Sequence, residues 1–207
     1  MTLLAIFVVA AQAVAITPSV PARAGRPSPP PFPVCSGVRV IAPELKVQPA
    51  NLAFSSRQVL DLQFRARLRQ DLEGDHLLQL KVLTPNGFLY QVITVPFVSA
   101  VPTPDPAETK RGEKKKMSIR EARAAAAAAP PPPPRYVPGF PRPLPVQRLR
   151  PVLGDATARI QYELDARLPV AGTSITLSSL YGRWTVQAYL DGQPGPCGPA
   201  TKFTIQE

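Results

Sequence analysis

Histidine is almost missing from this chain: there is one, His76, in 207 residues, alongside two cysteines, two methionines and one tryptophan. That scarcity excludes a good deal of chemistry. A structural zinc site takes about four nitrogen or sulfur ligands, and one histidine with two cysteines falls short. A serine or cysteine nucleophile needs a base beside it, yet His76 follows the acidic turn Asp-Leu-Glu-Gly-Asp and reads as a solvated turn residue. There is no Gly-x-Ser-x-Gly elbow and no CxxC pair, which removes the common hydrolase and thiol-redox signatures. A hydrolase reading has only Asp155 with Glu163 or Asp165 to offer as an acid/base pair. The chain therefore reads as non-enzymatic, with no cofactor.

Long apolar runs are lacking too. The longest, LLAIFVVAAQAVAI at residues 3–16, is shorter than the roughly 20 residues a membrane helix requires. Followed by TPSVPARA, it reads as an export signal over residues 1–24, although no Lys or Arg precedes Leu3. Cleavage after Ala24, closing Ala22-Arg23-Ala24, is the first choice; Ala11-Gln12-Ala13 and Ala13-Val14-Ala15 remain alternatives. No cysteine directly follows the run, which argues against a lipid-modified N-terminus. The mature chain is expected to be exported, with no transmembrane segment.

Acidic residues are few, 14 against 24 basic, for a formal charge of +10. Placed along the chain, the excess is local. Residues 99–150 carry eleven Lys or Arg against four Asp or Glu, whereas residues 25–98 carry +3 and residues 151–207 carry −1. The strand-rich parts are close to neutral, so a nucleic-acid partner is not expected.

Proline and alternation are what the chain has in quantity. Residues 25–36 form a proline-rich tether. In residues 37–98, Val38 and Val40, then Leu45 and Val47, alternate weakly between Pro43 and Pro49, as an edge strand would. Leu60, Leu62, Phe64, Ala66 and Leu68 then alternate strictly with polar residues, the signature of a half-buried antiparallel strand. Leu78, Leu80 and Val82 repeat it, Thr84-Pro85-Asn86-Gly87 supplies a tight turn, and Phe88, Tyr90 and Val92 open a third strand running to about Val98.

Residues 99–150 break that rhythm with twelve prolines, basic clusters and six consecutive alanines. Ser118 and Glu121 have capping-box spacing, so residues 119–129 are expected to form a short helix inside an otherwise mobile, extended insertion. In residues 151–207, Ala158, Ile160, Tyr162 and Leu164 mark a fourth strand, and Ile175 with Leu177 suggests a fifth. Trp184, Val186, Ala188 and Leu190 face one way, Asp191-Gly192 turns the chain, and Phe203 and Ile205 return it. Trp184, Val186, Phe64 and Leu62 are the expected centre of the core.

Gly182-Arg183-Trp184-Thr185-Val186, Tyr189-Leu190-Asp191-Gly192 and the final Phe203-Thr204-Ile205 resemble the last two strands of immunoglobulin-like or fibronectin-type domains of secreted bacterial proteins. The resemblance covers about 120 residues if the insertion is set aside. It implies an all-β fold, a single immunoglobulin-like antiparallel β-sandwich with a long disordered or partly helical Ala/Pro/Lys-rich insertion. In such sandwiches the first and last strands pair in parallel, which would set Cys35 beside Cys197. Two cysteines in an exported chain favour a disulfide on their own account.

Three surface groups are candidates for binding. Asp71, Glu73 and Asp75 alternate on a loop, an arrangement that suits weak calcium binding, though the twelve-residue calcium-loop pattern is not matched. Arg65, Arg67 and Arg69 make a basic stripe on one strand face, and Lys114, Lys115 and Lys116 a basic cluster. Either would suit a polyanion such as an acidic glycan, lipopolysaccharide or anionic lipid; alternating arginines also keep an exposed sheet face soluble. Pro130 to Arg135 matches a ligand for polyproline readers, but reads better as a spacer. The leading expectation is a binding or scaffolding role in the bacterial cell envelope, toward an unidentified envelope protein or polysaccharide. Polyanion binding through the insertion and the stripe is the alternative.

Overall fold

Where apolar and polar side chains alternate most strictly, the chain is extended with one face buried. The computed structural model describes residues 34–100, 119–153 and 160–207. Its strands are β1 (Cys35–Ile41), β2 (Ala53–Ser55), β3 (Asp61–Leu68), β4 (Asp75–Leu83), β5 (Leu89–Val98), β6 (Gln147–Arg148), β7 (Arg150–Leu153), β8 (Ile160–Pro169), β9 (Gly182–Leu190) and β10 (Thr201–Gln206). Two helices accompany them, α1 (Ile119–Ala128) and a single turn, α2 (Ser174–Leu177). One sheet has the order β1-β3-β8-β7, the other β2-β10-β9-β4-β5-β6. Neighbours are antiparallel except β2 with β10 and β5 with β6. The all-β expectation holds.

The two sheets enclose one apolar core. Leu62, Phe64, Ala66 and Leu68 enter it from β3, Leu78, Leu80 and Val82 from β4, and Trp184, Val186 and Ala188 from β9. Trp184 has no exposed surface, and its indole N–H donates to the Leu180 carbonyl at 3.0 Å, so burial leaves no polar group unpaired. Phe203 stacks on its ring at 6.4 Å, and Tyr90 meets it edge-on at 5.2 Å. Phe203 in turn touches Phe64 of the opposite sheet at 5.7 Å, which joins the two layers through aromatic contact.

Cys35 and Cys197 are bridged, with Cα atoms 5.1 Å apart. The pairing is the expected one, but the topology that produces it is different. β1 does not pair with the last strand; it lies in the other sheet beside β3, while the short β2 takes the parallel place next to β10. The bridge therefore ties the edge of one sheet to the β9–β10 loop of the other. Cys35 N–H donates to the Cys197 carbonyl at 2.9 Å, Cys197 N–H to Ala188 at 2.8 Å, and the Thr201 hydroxyl to Val38 at 2.7 Å. The seam is close. A Cβ on Gly198 would stand 2.5 Å from the Cys35 carbonyl oxygen, so only glycine fits there.

Turn chemistry fixes the ends. At Thr84-Pro85-Asn86-Gly87, Gly87 takes φ 81° and its N–H donates to Thr84, as the sequence predicts. Asp191 and Gly192 both adopt positive φ, with Gln193 N–H donating to Leu190, the geometry of a tight hairpin turn. The return strand is delayed to Thr201, because the intervening loop carries Cys197.

Several expectations change. Leu45 and Val47 lie in a loop braced by the Gln48 amide, which bonds Ala42 N–H and carbonyl at 2.8 Å each. Leu60 precedes β3 and is exposed. Ile175 and Leu177 sit on the single turn α2 rather than a strand, Ile175 buried and Leu177 exposed. Two residues of apolar character two apart fit either period, and the Thr173 side chain decides for helix by capping the Ile175 N–H. The helix expected at residues 119–129 forms as α1. The chain beyond it returns to the body before residue 154. Arg135 and Leu144 form an antiparallel bridge, Val137 and Leu149 are buried, and Leu149 N–H donates to Val98 at 3.0 Å. The basic cluster Lys114 to Lys116, the signal segment, and the stretch holding Asp155 and Ala158 lie outside the described residues.

Candidate functional site

The outer face of the β1-β3-β8-β7 sheet carries charge in rows. β3 and β8 are both strictly alternating, so the residues that miss the core line up on the opposite face. The register sets Arg65 across from Asp165, and Arg67 across from Glu163, whose other neighbour is Arg150 of β7. Arg67 Nε donates to Glu163 Oε1 at 2.8 Å and Arg150 reaches Oε2 at 3.2 Å, so one carboxylate, 5% exposed, is held between two guanidiniums. Asp165 lies 3.5 Å from Arg65 Nε and 3.1 Å from Arg150 Nη1. Opposite charges directly across a sheet stabilise it.

This overturns the basic stripe as an open surface. Arg65 and Arg67 are answered by β8 carboxylates, and Arg69, just past the end of β3, is exposed and joins neither row. Glu163 and Asp165, each considered as a partner for Asp155, are both engaged by arginines.

Above the sheet, the former insertion builds a wall. Gln147 on β6 places its side-chain amide against β8, accepting from Asp165 N–H at 3.1 Å and donating to Asp165 carbonyl at 2.7 Å, in the manner of an added strand. α1 lies along β7, and Arg123 Nε donates to the Pro151 carbonyl at 3.0 Å. Arg148 extends to the Ser99 carbonyl at 3.4 Å and the Pro130 carbonyl at 3.1 Å. Between wall and sheet is a cleft of about 540 Å³ lined by Arg65, Arg123, Arg148 and Arg150, with Glu163 at its base.

No family model matches the chain, and no curated protein or solved structure matches it either. The site's reading therefore rests on its own geometry.

That geometry is basic. Counting the residues behind the lining, five arginines (65, 67, 123, 148 and 150) meet two carboxylates, Glu163 and Asp165. The carboxylates are shared among Arg65, Arg67 and Arg150, while the contacts of Arg123 and Arg148 among the described residues are backbone carbonyls. The Nε atoms of Arg65 and Arg148 are buried and have no hydrogen-bond acceptor among the described residues. Sequence reasoning missed Arg123, Arg148 and Arg150 because they fall in the stretch read as linker. The signal available was the segment VQRLRPVL at residues 146–153, where apolar residues return after the proline-rich stretch.

The acidic candidates disperse. Asp71 accepts from the Ser99 hydroxyl at 2.8 Å and Ala100 N–H at 3.1 Å, and Asp75 pairs with Arg135 at 3.8 Å. Burial, reinforced by the charge of Asp71, pushes the Tyr162 hydroxyl above its ordinary pKa. No group of three or more His, Cys, Asp or Glu suited to a metal occurs among the described residues, so Asp71, Glu73 and Asp75 do not form a calcium site there.

His76 is no solvated turn residue. It stands on β4, with Nδ1 2.8 Å from Asp191, Nε2 3.0 Å from the Glu73 carbonyl and its ring stacked on Phe97 at 5.4 Å. Asp191 also accepts from Leu77 N–H, so the imidazole braces the turn after β9. No helix among the described residues is long and apolar enough to cross a membrane.

Proposed function

We propose that this chain is an exported, non-enzymatic immunoglobulin-like β-sandwich module with a binding or scaffolding role in a bacterial cell envelope. The strand order supports the sandwich type. With β1, β3, β4, β5, β7, β8, β9 and β10 taken as strands A, B, C, C′, D, E, F and G, the sheets read A-B-E-D and G-F-C-C′, the immunoglobulin arrangement. β2 then serves as a second segment of strand A, crossing to pair in parallel with G. The Cys35–Cys197 bridge supports export, since such bonds persist in oxidising compartments. The engagement of His76, Glu163 and Asp165 in structural contacts supports a non-enzymatic role.

The observation that carries a binding role is the use made of the stretch between β5 and β8. It packs α1 against β7, joins one sheet at β6 and the other at β7, and lines a cleft beside the charged rows. Such a concave, charged site built from an insertion on a rigid scaffold is where recognition is commonly placed.

Fractionation and intact-mass analysis of the full-length gene product test the reading. The expected product is found outside the cytoplasm, begins at Gly25 and lacks two cysteine hydrogens. A full-length cytoplasmic protein with two free thiols would refute export and, with it, the envelope role.

A further inference from the structure

We infer that the arginine-lined cleft is an oxyanion site that takes a phosphate ester, with Arg123 and Arg148 supplying the charge that the sheet's carboxylates leave unanswered. The inference deepens the binding role proposed above, and rests on it only in taking this cleft as the working surface.

Three observations converge on the cleft. The first is the imbalance of charge. Glu163 and Asp165 neutralise the sheet side of the cleft, whereas the wall side presents two guanidiniums whose contacts among the described residues are neutral carbonyls. A guanidinium held by carbonyls alone has no counter-charge, and a carboxylate or phosphate forms shorter and stronger bonds to it than a carbonyl does. The second is recession. The Arg148 Nε is sealed from solvent and has no hydrogen-bond acceptor among the described residues, unlike the end of a long side chain moving freely in water. An unpaired donor on a cation, out of water's reach, is costly, and a nearby anion offsets that cost. The third is shape. A cleft of about 540 Å³ lies in the range of small-ligand sites, so it holds a phosphate together with the group that carries it.

Arginine is also the suitable residue for this task. Its planar fork matches two oxygens of a tetrahedral oxyanion, and its charge does not titrate near neutrality. Arg65 and Arg150 line the same cleft, held in place by their carboxylates. The bound group then lies between α1 and the sheet, where the one lining carboxylate, Glu163, is already shared by Arg67 and Arg150.

The test is calorimetric titration of the oxidised full chain with inorganic phosphate, with a hexose phosphate and with phosphatidylglycerol vesicles, at low and at raised salt. Saturable binding is expected in at least one arm, with a dissociation constant on the order of a millimolar for the free ion and weakening as salt rises. The hexose phosphate and vesicle arms distinguish a soluble ester from a lipid headgroup. Arg148→Ala and Arg123→Gln should each weaken binding about tenfold, while Arg183→Gln, exposed on β9 of the other sheet and not among the cleft-lining residues, should leave it unchanged. Arg148 also ties Ser99 to Pro130, so Arg148→Ala is scored only if its circular dichroism matches the parent; otherwise the exposed Arg123→Gln decides. No saturable binding in any arm, or binding that neither variant weakens, overturns the inference. Because the titration uses purified oxidised protein, its failure leaves the export result standing, and the reverse holds as well.

Discussion

Reduction of the disulfide, or Cys35→Ser, is expected to lower stability by about 5 kcal/mol, the largest single effect available in this chain. The bridge joins residues 162 apart, and chain-entropy arithmetic for a loop of that length gives about 5 kcal/mol, less any loss from relaxation of the seam. Whole domains are stable by only about 5–15 kcal/mol, so the reduced protein should stand near the edge of unfolding. The position of the bridge adds to this expectation. It holds β1, an edge strand paired on one side only, against the β9–β10 loop of the facing sheet, where Cys35 N–H and the Cys197 carbonyl also meet. Urea titrations with and without reductant measure the effect, and the denaturant slope should rise as well, because the uncrosslinked unfolded chain exposes more surface. An unchanged midpoint would mean that the sheets hold together without the bond.

Glu163→Ala is expected to cost about 3 kcal/mol, at the lower end of what removing one partner of a buried ion pair costs. Glu163 is 5% exposed and Arg67 16%, and the carboxylate is shared by Arg67 and Arg150 across three strands. Its loss leaves two positive groups facing each other on a covered face. The pair Arg57 with Glu207 is the natural control, being 75% and 68% exposed, and Glu207→Ala should change stability by no more than about 1 kcal/mol. Equal effects for the two variants would show that the charged rows on the outer face are as solvated as the surface pair.

The parts of the fold legible in the sequence are those with one wet and one dry face. β3, β4 and β9 alternate because each borders the core on one side and solvent or charge on the other, and their side-chain period of two survives without knowledge of the partner strands. β2, β6 and β7 could not be read that way. They span three, two and four residues, too short for a period, and β7 contains Pro151, which an edge strand tolerates. Ile175 and Leu177 failed for the same reason, since two apolar residues do not define a rhythm.

The site was half legible. Arg65 and Arg67 stood out as positive charge, but what they do depends on Glu163 and Asp165, nearly a hundred residues further on. Only the register of β3 against β8 brings them together. The wall was hidden by composition. Prolines and alanines suggest a chain that cannot bury enough apolar surface to order itself, yet Val137 and Leu149 supply anchors, and β6 completes its attachment through a side-chain amide rather than through backbone pairing alone.

Acrylamide quenching of the sole tryptophan tests most directly whether two sheets close over one core. In the oxidised folded protein, Trp184 should emit at short wavelength and resist the quencher, then shift to the red and become fully quenchable in denaturant. Emission already red-shifted and freely quenched before any denaturant is added would contradict the two-sheet architecture.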